Sequence, residues 1–361
     1  MKAIVLKCKP GSRFHFGKYS LDADTALNDS DEIMHSDTLF SALVNIYQDL
    51  FGDAQELVDA FTNAQVKISS VLPCFQQRGN YIWMLPKPVC FNLFQANEYK
   101  VFRAIRYISK VVWENILNPL ELEQKPETYK LLAKKRYAVH KDEILLPSGL
   151  SGSAQEESYQ SIAVSHLVTL PKVRVRDRPE DKTIYQVTVT EIADNTAIIN
   201  DLYVHYYFLL DTEVSLSELI QQQLMTAIQL LPENGIGGER NTIGSLDSID
   251  IIENWELKMN HSISVNKVTA SLLYPAEKER ADLMYYRFML RGGRRLGKKG
   301  MDETKVPVYL KTVRMIEEGA VLNQLVTGGL ADISPDNTKS YLRNGLAFCL
   351  PVHNQWIPDY E

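Results

Sequence analysis

Four cationic side chains recur at intervals of two along one short stretch of the chain. They are Lys172, Arg174, Arg176 and Arg178. Side chains two residues apart on a β-strand point to the same face, so all four would line one face of a strand. A turn at 178–181 and a returning strand over 184–190 would complete a β-hairpin. We predict that this cationic arm reaches over a nucleic-acid strand; a charged edge strand that deters aggregation is the alternative.

A second cationic stretch lies between residues 287 and 299, with six cations and no acidic residue. The six are Arg287, Arg291, Arg294, Arg295, Lys298 and Lys299. The spacing over 292–299 is close to that of a phosphate-binding loop, but Lys299 occupies the position where Ser or Thr must bind Mg²⁺. An unrelieved cluster of this kind in an acidic chain favours an anionic partner, and a solvated loop is the alternative.

Residues 235–244 form a glycine-rich loop with the sequence GIGGERNTIG. The loop follows a predicted helix and precedes a predicted strand, whereas loops that bind nucleotide phosphates lie between a strand and the start of a helix. Nucleotide binding of that type is therefore disfavoured. Glycines allow the backbone to approach another backbone closely, and Arg240 offers a planar fork suited to phosphate. A glycine helix cap followed by a tight turn is the alternative.

Histidine is the side chain best suited to acid–base chemistry near neutral pH. Two of the seven histidines could serve in this way, His15 in RFHFG and His35 directly before Ser36. No serine or cysteine stands in a setting typical of a nucleophile, so both histidines are better explained as structural or hydrogen-bonding residues. The four cysteines are scattered singly, which predicts neither a disulfide framework nor a zinc site. We expect no metal and no other cofactor.

A chain of 361 residues with 45% hydrophobic residues must fold around these segments, in about two domains. Its formal net charge of −6 excludes a free-standing polybasic nucleic-acid binder. The N-terminal apolar run is too short for a signal peptide, and no later run reaches the length of a membrane span. We therefore expect a cytoplasmic protein that does not associate with membranes.

Hydrophobic patterns predict the elements that position the candidate residues. Ser36 is expected to cap a helix that ends at Phe51 before Gly52, and Ser215 to cap a helix to about Leu231. A further helix is expected around 98–117. Strands are predicted at 2–8, 66–72, 80–86, 202–210, 245–252, 263–273, 283–291, 306–313 and 345–351. Without insertions the order is β, α, β, β, α, β, which predicts an α+β fold with a ferredoxin-like domain over 1–257 and a second domain over 258–361.

Several motifs occur together and in a fixed order along the chain. They are FHFG at 14–17, MHSDTLFSAL at 34–43, LPKVRVRDR at 170–178, GIGGERNTIGSLD at 235–247 and KTVRMIEEGAVL at 311–322. In this combination the chain resembles the RAMP superfamily of CRISPR proteins. Within it, the chain is most similar to the family of fourth subunits of type III-A (Csm) effector complexes, and the resemblance spans nearly the whole sequence.

The resemblance implies two ferredoxin-like (RRM-like) domains, the second degenerate, with the hairpin at 172–190 as a thumb inside an insertion at about 130–190. It implies a non-catalytic subunit of an antiviral RNA-guided interference complex that binds and caps the 5′ handle of the guide RNA. The implied partners are the guide RNA, the neighbouring backbone RAMP subunit, the large polymerase/cyclase-type subunit and, indirectly, the target RNA.

On this interpretation, cationic side chains position the phosphates of the guide RNA. They are Lys172, Arg174, Arg176, Arg178, Arg240, Arg291, Arg294 and Arg295. Contacts with the handle itself are expected from His15, Ser36, Gly237 and Gly238.

Two other interpretations stay open. One is an enzyme of the same superfamily, a metal-independent endoribonuclease that processes precursor RNA with His15 or His35 assisting attack by a 2′-hydroxyl. The other is a generic RNA-binding module outside CRISPR systems. The endoribonuclease would carry a catalytic histidine. The generic module would have an RNA-binding surface but no place in a CRISPR complex.

Overall fold

The computed structural model describes residues 1–19, 27–90, 104–118, 137–140, 144–147, 162–174, 183–240, 242–259, 265–295, 308–336 and 340–353. These residues combine helices with mostly antiparallel sheets, so the prediction of a mixed α+β chain is confirmed. Among them, no helix has the length and apolar character needed to cross a membrane.

The described strands of the first half are β1 (Lys2–Lys7), β2 (Arg13–Phe14), β3 (Phe16–Gly17), β4 (Ser30–Asp31), β5 (Val66–Ile68), β6 (Leu72–Gln77), β7 (Asn80–Pro86), β8 (Tyr107–Ser109), β9 (Tyr137–His140), β10 (Ile144–Pro147), β11 (Ser165–Arg174), β12 (Thr183–Ile192), β13 (Leu202–Thr212) and β14 (Ser248–Ile252). Those of the second half are β15 (Val265–Thr269), β16 (Leu283–Tyr285), β17 (Phe288–Arg295), β18 (Val308–Ile316), β19 (Val321–Leu322), β20 (Gly328–Asp332), β21 (Leu342–Leu346) and β22 (Cys349–His353). The described helices are α1 (Ser36–Phe51), α2 (Gln55–Thr62), α3 (Lys110–Val112, continued by a π-helical turn over Trp113–Leu117), α4 (Glu218–Gln229) and α5 (Leu231–Asn234), with a 3₁₀ turn over Glu277–Asp282.

The main sheet of the first half is built around β1. Its described order is β14-β1-β13-β6-β7-β8-β10-β9, with β5 also paired to β13. Ala3, Ile4, Val5 and Leu6 are all fully buried, because β1 is covered on both faces and paired on both edges. The strands predicted over 2–8, 202–210 and 245–252 are confirmed as β1, β13 and β14.

The two principal helices are confirmed, but both predicted caps are wrong. Gly52 closes α1 with φ of 81°, as expected, whereas His35 and not Ser36 precedes its first turn. The Ser36 hydroxyl is turned inward and accepts a hydrogen bond from the amide of Leu272 (3.1 Å). Helix α4 is capped by the hydroxyl of Ser217, two residues beyond the predicted cap.

The helix predicted around 98–117 is partly wrong. Residues 98–103 lie outside the described residues, and Tyr107–Ser109 form β8 between β7 and β10. Both Tyr107 and Ile108 are buried there, so burial in the sheet overrides the helical pattern. The helix begins only at Lys110, where the hydroxyl of Ser109 caps it.

The second half consists of a sheet ordered β16-β19-β15-β22 and two hairpins, β17–β18 and β20–β21. The strands predicted at 283–291 and 306–313 therefore correspond to β16, β17 and β18, which extend beyond the expected bounds. Apolar residues of β15 and β22 belong to the same hydrophobic core as those of the first half. Because that core is continuous, the division at residue 257 stays a prediction.

Asp37 lies at the centre of a cluster of charges between the two halves. Its carboxylate is fully buried and accepts two hydrogen bonds from Arg291, both 2.9 Å, and another from Arg343. Burial alone would raise the pKa of Asp37, but the two guanidinium groups outweigh burial and hold that pKa well below its usual range. The ion pairs therefore tie the first turn of α1 to β17 and β21 of the other half.

His35 belongs to the same cluster. Its Nδ1 lies 2.8 Å from Glu318 Oε1, and its Nε2 lies 3.4 Å from Asp31 Oδ2. Burial lowers the pKa of His35, but the two carboxylates outweigh burial and raise it to about 10, so the ring is an imidazolium at neutral pH. Three cations thus balance three carboxylates in this buried charge cluster, which consists of Asp31, His35, Asp37, Arg291, Glu318 and Arg343.

Asp37→Asn removes the charge of the central carboxylate and nearly preserves its shape. We expect it to lower the free energy of unfolding by about 3–5 kcal/mol, because Arg291 would stay buried without its counter-charge. Urea unfolding followed by circular dichroism measures the loss. Asp247→Asn, which removes an exposed ion pair with Lys9 (2.8 Å), is the control and should leave the midpoint nearly unchanged. Equal midpoints for Asp37→Asn and the unaltered chain would contradict this role.

The raised pKa of His35 predicts a dependence of stability on pH. In the unfolded chain a histidine loses its proton near pH 6.5, whereas in the folded protein His35 keeps it until about pH 10. The folded state binds more protons in that window, so the free energy of unfolding should fall as the pH rises through it. His35→Gln should remove this slope, measured by urea unfolding at several pH values.

His205 offers a matched control for that experiment. Burial, with a smaller contribution from Lys7, lowers the pKa of His205 to about 4, so its contribution to stability is lost only as the pH falls from about 6.5 to 4. His205→Gln should therefore leave the slope above pH 7 as it is. If both variants kept the full alkaline slope, another group would be its cause.

Candidate nucleic-acid interface

Residues 13–17, here called the His15 segment, are anchored by alternate aromatic side chains. Phe14 and Phe16 are buried, and their rings stack with centroids 5.6 Å apart. Phe14 lies opposite Thr190 of β12, which adds the segment to the hairpin β11–β12 as a third strand. Because the two phenylalanines enter the core, alternation directs His15 to the other side.

His15 connects the hairpin β11–β12 to the glycine-rich loop and is only 4% exposed. Its Nδ1–H donates to the carbonyl of Thr188 in β12 (2.8 Å). Its backbone carbonyl accepts a hydrogen bond from the amide of Gly238 (2.8 Å). The ring is therefore mainly a structural link, with little surface left for RNA.

The glycine-rich loop folds directly onto the His15 segment. The amide of Gly244 donates to the carbonyl of Arg13 (2.8 Å). Gly237 has a φ of +85°, and a Cβ at this position would lie 2.6 Å from the carbonyl oxygen of His15. The predicted close approach of two backbones is thus confirmed, because only glycine fits here. The amide of Gly238 already bonds to His15 and does not point to a ligand.

Lys172 joins the hairpin β11–β12 to the glycine-rich loop. Its Nζ lies 2.7 Å from the hydroxyl of Thr242 and 3.3 Å from Glu239 Oε2. The predicted strand around Lys172 is confirmed, as is the returning strand β12. The Lys172 cation is shared with Glu239, however, so it holds the hairpin against the loop in addition to any contact with phosphate.

The other predicted arginines of the cationic arm, the glycine-rich loop and the end of β17 fall into three groups. Arg240 is exposed on the glycine-rich loop and is open to a ligand. Arg174 ends β11, and Arg294 and Arg295 end β17, while their side chains lie outside the described part of the structure. Outside the described residues altogether lie Arg176 and Arg178.

Ser36 and Arg291 do not lie at this surface, which corrects their predicted contacts with RNA. Ser36 is fully buried under Leu272, and Arg291 is 5% exposed, with its guanidinium bound to Asp37 and Thr38. A phosphate could reach either group only if the two halves separated. Both residues therefore serve the packing of the halves.

Thr188, Glu239 and Thr242 join the hairpin β11–β12, the glycine-rich loop and the His15 segment, but nothing in their local sequence pattern identifies these distant partners. The inward direction of Arg291, by contrast, had a signal in the sequence. Alternation along a strand places Arg291 on the face opposite Phe288 and Leu290, so a strand over this stretch cannot present all its cations on one side.

Comparisons with known proteins identify similar sequences. Residues 264–352 match the family model of the CRISPR Csm4 C-terminal domain. Over 359 residues the chain is 25% identical to the CRISPR protein Csm4 of Methanocaldococcus jannaschii, covering 93% of this chain and 90% of that one.

Two solved structures have a similar fold. A chain in the crystal structure of the Csm3–Csm4 subcomplex of the type III-A CRISPR-Cas interference complex has a TM-score of 0.66 at 20% identity, covering 98% of this chain and 100% of that one. A chain of the Csm1–Csm4 cassette in complex with cA4 has a TM-score of 0.53 at 17% identity, covering 100% of both chains.

The resemblance to the class of CRISPR proteins identified in the sequence is confirmed, and the described fold is similar to that of the solved chains. Within that class the match is to Csm4. Residues 264–352 match the Csm4 C-terminal domain, and the chain resembles Csm4 along nearly its whole length.

Gly237→Ala should destabilise the protein more than Gly79→Ala does. Gly79 has a similar φ of +81° but open space around its Cβ position, so its substitution isolates the backbone strain, about 1 kcal/mol. Gly237→Ala adds the collision with the carbonyl of His15 and strains the bond from Gly238, for a further loss of at least about 1 kcal/mol. Urea unfolding of both variants gives the difference, and equal losses would contradict the need for close approach.

Proposed function

We propose that this chain is a non-catalytic subunit of a type III-A CRISPR RNA-guided interference complex and that it binds and caps the 5′ handle of the guide RNA. The observation that carries the proposal is the junction at which the hairpin β11–β12, the glycine-rich loop and the His15 segment are hydrogen-bonded together. Its exposed Arg240 and the cations along β11 suit the phosphates of a single strand.

The hairpin β11–β12 fits the part of a thumb. Val173 and Ile184 lie directly opposite each other near the end of its described strands, and they are 53% and 73% exposed. An apolar pair on a cationic arm can enter a gap beside an unstacked base, while the neighbouring cations offset the cost through phosphate contacts. This arrangement supports a hairpin that interrupts the pairing of guide and target.

The order of strands supports ferredoxin-like domains. Within the β-α-β-β-α-β unit of the first half, the fourth, first, third and second strands lie side by side as β14, β1, β13 and β6. We assign this half as a ferredoxin-like domain into which the thumb is inserted. The second half, with its sheet of short strands and its extended hairpins, is assigned as a degenerate domain of the same kind.

The partners follow from the same comparison. The names of the similar structures associate Csm4 with Csm3 in one case and with Csm1 in the other. We infer that this chain bridges a backbone RAMP subunit of the Csm3 type and a large polymerase/cyclase-type subunit of the Csm1 type, in the cytoplasm. A net charge of −6 leaves acidic surface available for protein partners, outside the cationic segments that would hold RNA.

The alternative of a precursor-processing endoribonuclease requires a histidine that can accept a proton. His35 is already protonated at neutral pH and is engaged by Glu318, whereas the His15 ring is only 4% exposed, which leaves a 2′-hydroxyl little access to its second ring nitrogen. The geometry therefore favours binding over cleavage. Precursor RNA incubated with the protein in EDTA should stay intact, and a product with a 2′,3′-cyclic phosphate would reverse this assignment.

The proposal predicts salt-dependent binding of handle-bearing RNA by the chain assembled with its Csm3-type neighbour. If about six phosphates are contacted, log affinity should fall with log salt concentration at a slope near −4. Arg240→Ala should weaken binding and make the slope shallower by about 0.7, the value for one phosphate on a single strand. Filter binding over a range of KCl concentrations measures both quantities.

Arg280→Ala is the matched control, because it removes an exposed arginine from the 3₁₀ turn of the second half. For this variant, the slope of log affinity against log salt concentration should equal that of the unaltered chain. A slope near zero, or equal affinity for RNA that lacks the handle, would count against the proposed function.

A further inference from the structure

The hairpin β17–β18 carries an exposed apolar surface that the proposed function does not use. Phe288, Leu290 and Tyr309 are 58%, 44% and 54% exposed. Phe288 and Leu290 share a face of β17 by alternation, and Leu290 lies opposite Arg314 of β18. The register of the hairpin shifts between Arg291 and Gly293, and beyond that shift the exposed Tyr309 lies opposite Arg294. We call this surface the outer face; contiguous exposed apolar patches of this kind mark interaction sites.

The other face of β17 is held against the protein interior. Arg291 is bound to Asp37 in the buried charge cluster, and a Cβ at Gly293 would lie 3.2 Å from Nη2 of Arg343. Since these alternate positions face inward, the side chains between them must face outward. The exposure of the outer face is therefore a fixed property of the docked hairpin.

Tyr19 joins the outer face to the His15 segment. A Cβ on Gly292 would lie 2.6 Å from Cε2 of the Tyr19 ring, so the absence of a side chain makes room for the tyrosine. The hydroxyl of Thr312 donates to that of Tyr19 (3.2 Å). Tyr19 follows His15 by four residues, which span at most roughly 14 Å. Tyr19 therefore links the outer face to the segment on which the glycine-rich loop packs.

The charge of the hairpin indicates the kind of partner that fits. Residues 287–299 contain six cations and no acidic residue, and of the six the described part of the structure shows only Arg291 to be neutralised, by Asp37. Arg314 on the outer face pairs with no carboxylate among the residues that the structure describes. The cores of protein–protein interfaces are depleted in charge, whereas aromatic side chains beside unpaired cations are the combination that holds successive bases and phosphates of a single strand.

We propose that the outer face binds single-stranded RNA next to the stretch held at the glycine-rich loop. Phe288 stacks on a base, and Arg314 contacts an adjoining phosphate. This inference rests on the proposed function, because the RNA must first be held at the loop. The outer face adds an RNA contact region on the second half of the chain, so the bound RNA crosses from one half of the protein to the other.

The test measures the affinity for handle-bearing guide RNA of the full chain assembled with its Csm3-type and Csm1-type partners. Phe288→Leu keeps an apolar side chain but removes the ring, and it should weaken binding by at least about fivefold, as the loss of one stacked base does. Phe288→Trp keeps the stacking surface and should bind about as tightly as the unaltered chain. Leu219→Ala on α4 is the control, because Leu219 is as exposed as Phe288 (59%), and it should change nothing.

The outcomes separate this inference from the proposed function. If the unaltered assembly does not prefer handle-bearing RNA, both fail. If it does, and Arg240→Ala weakens binding while Phe288→Leu and Phe288→Ala do not, only the outer face is excluded. If Phe288→Ala lowers the recovery of a partner subunit while the remaining assemblies bind RNA normally, the face docks protein and the inference is overturned.

Discussion

The arrangement of the two halves depends on a single buried carboxylate. Asp37 is fully enclosed, and a charge in such a place is tolerated only when opposite charges and hydrogen bonds surround it. Here the matching guanidinium groups come from the other half of the chain, from two separate hairpins. Because each fork binds in a narrow range of directions, the halves meet in one relative orientation.

The same constraint determines which surfaces face the solvent. With Arg291 turned inward, the neighbouring positions of β17 must point outward, and the exposure of the outer face follows from that direction. Arg343 also donates to the carbonyl of Gly292, the residue over which Tyr19 packs. The electrostatics of the interior therefore set the position of an exposed face and its continuity with the His15 segment.

The local sequence pattern was sufficient to predict an element where its buried residues recur at the spacing of a single strand or helix. Strand β1, apolar on both faces, and helix α1, with its stripe of buried residues and closing glycine, were predictable from spacing alone. Residues 107–109 were not, because their place between two strands depends on distant partners. The glycine-rich loop revealed its need for close approach, but the carbonyl that it approaches had no local signature.

Charge was the feature hardest to interpret from the sequence. Arg240 and Arg291 occur in equally cationic or glycine-rich surroundings, yet one is exposed and the other binds a carboxylate 254 positions away. A guanidinium suits a phosphate and a buried aspartate equally well, so its residue type cannot decide between them. The clues were the alternation along β17 and the acid that the sequence places in the first turn of α1, at Asp37.

The contacts made by His15 also bear on the timing of assembly. Its partners Thr188 and Gly238 follow it by 173 and 223 positions. At about 5–20 residues per second, the ribosome needs roughly 10–45 s to reach the later partner. A nascent chain therefore carries the N-terminal part of this surface long before the rest exists. The junction proposed to hold RNA can therefore form only after most of the first half has left the ribosome.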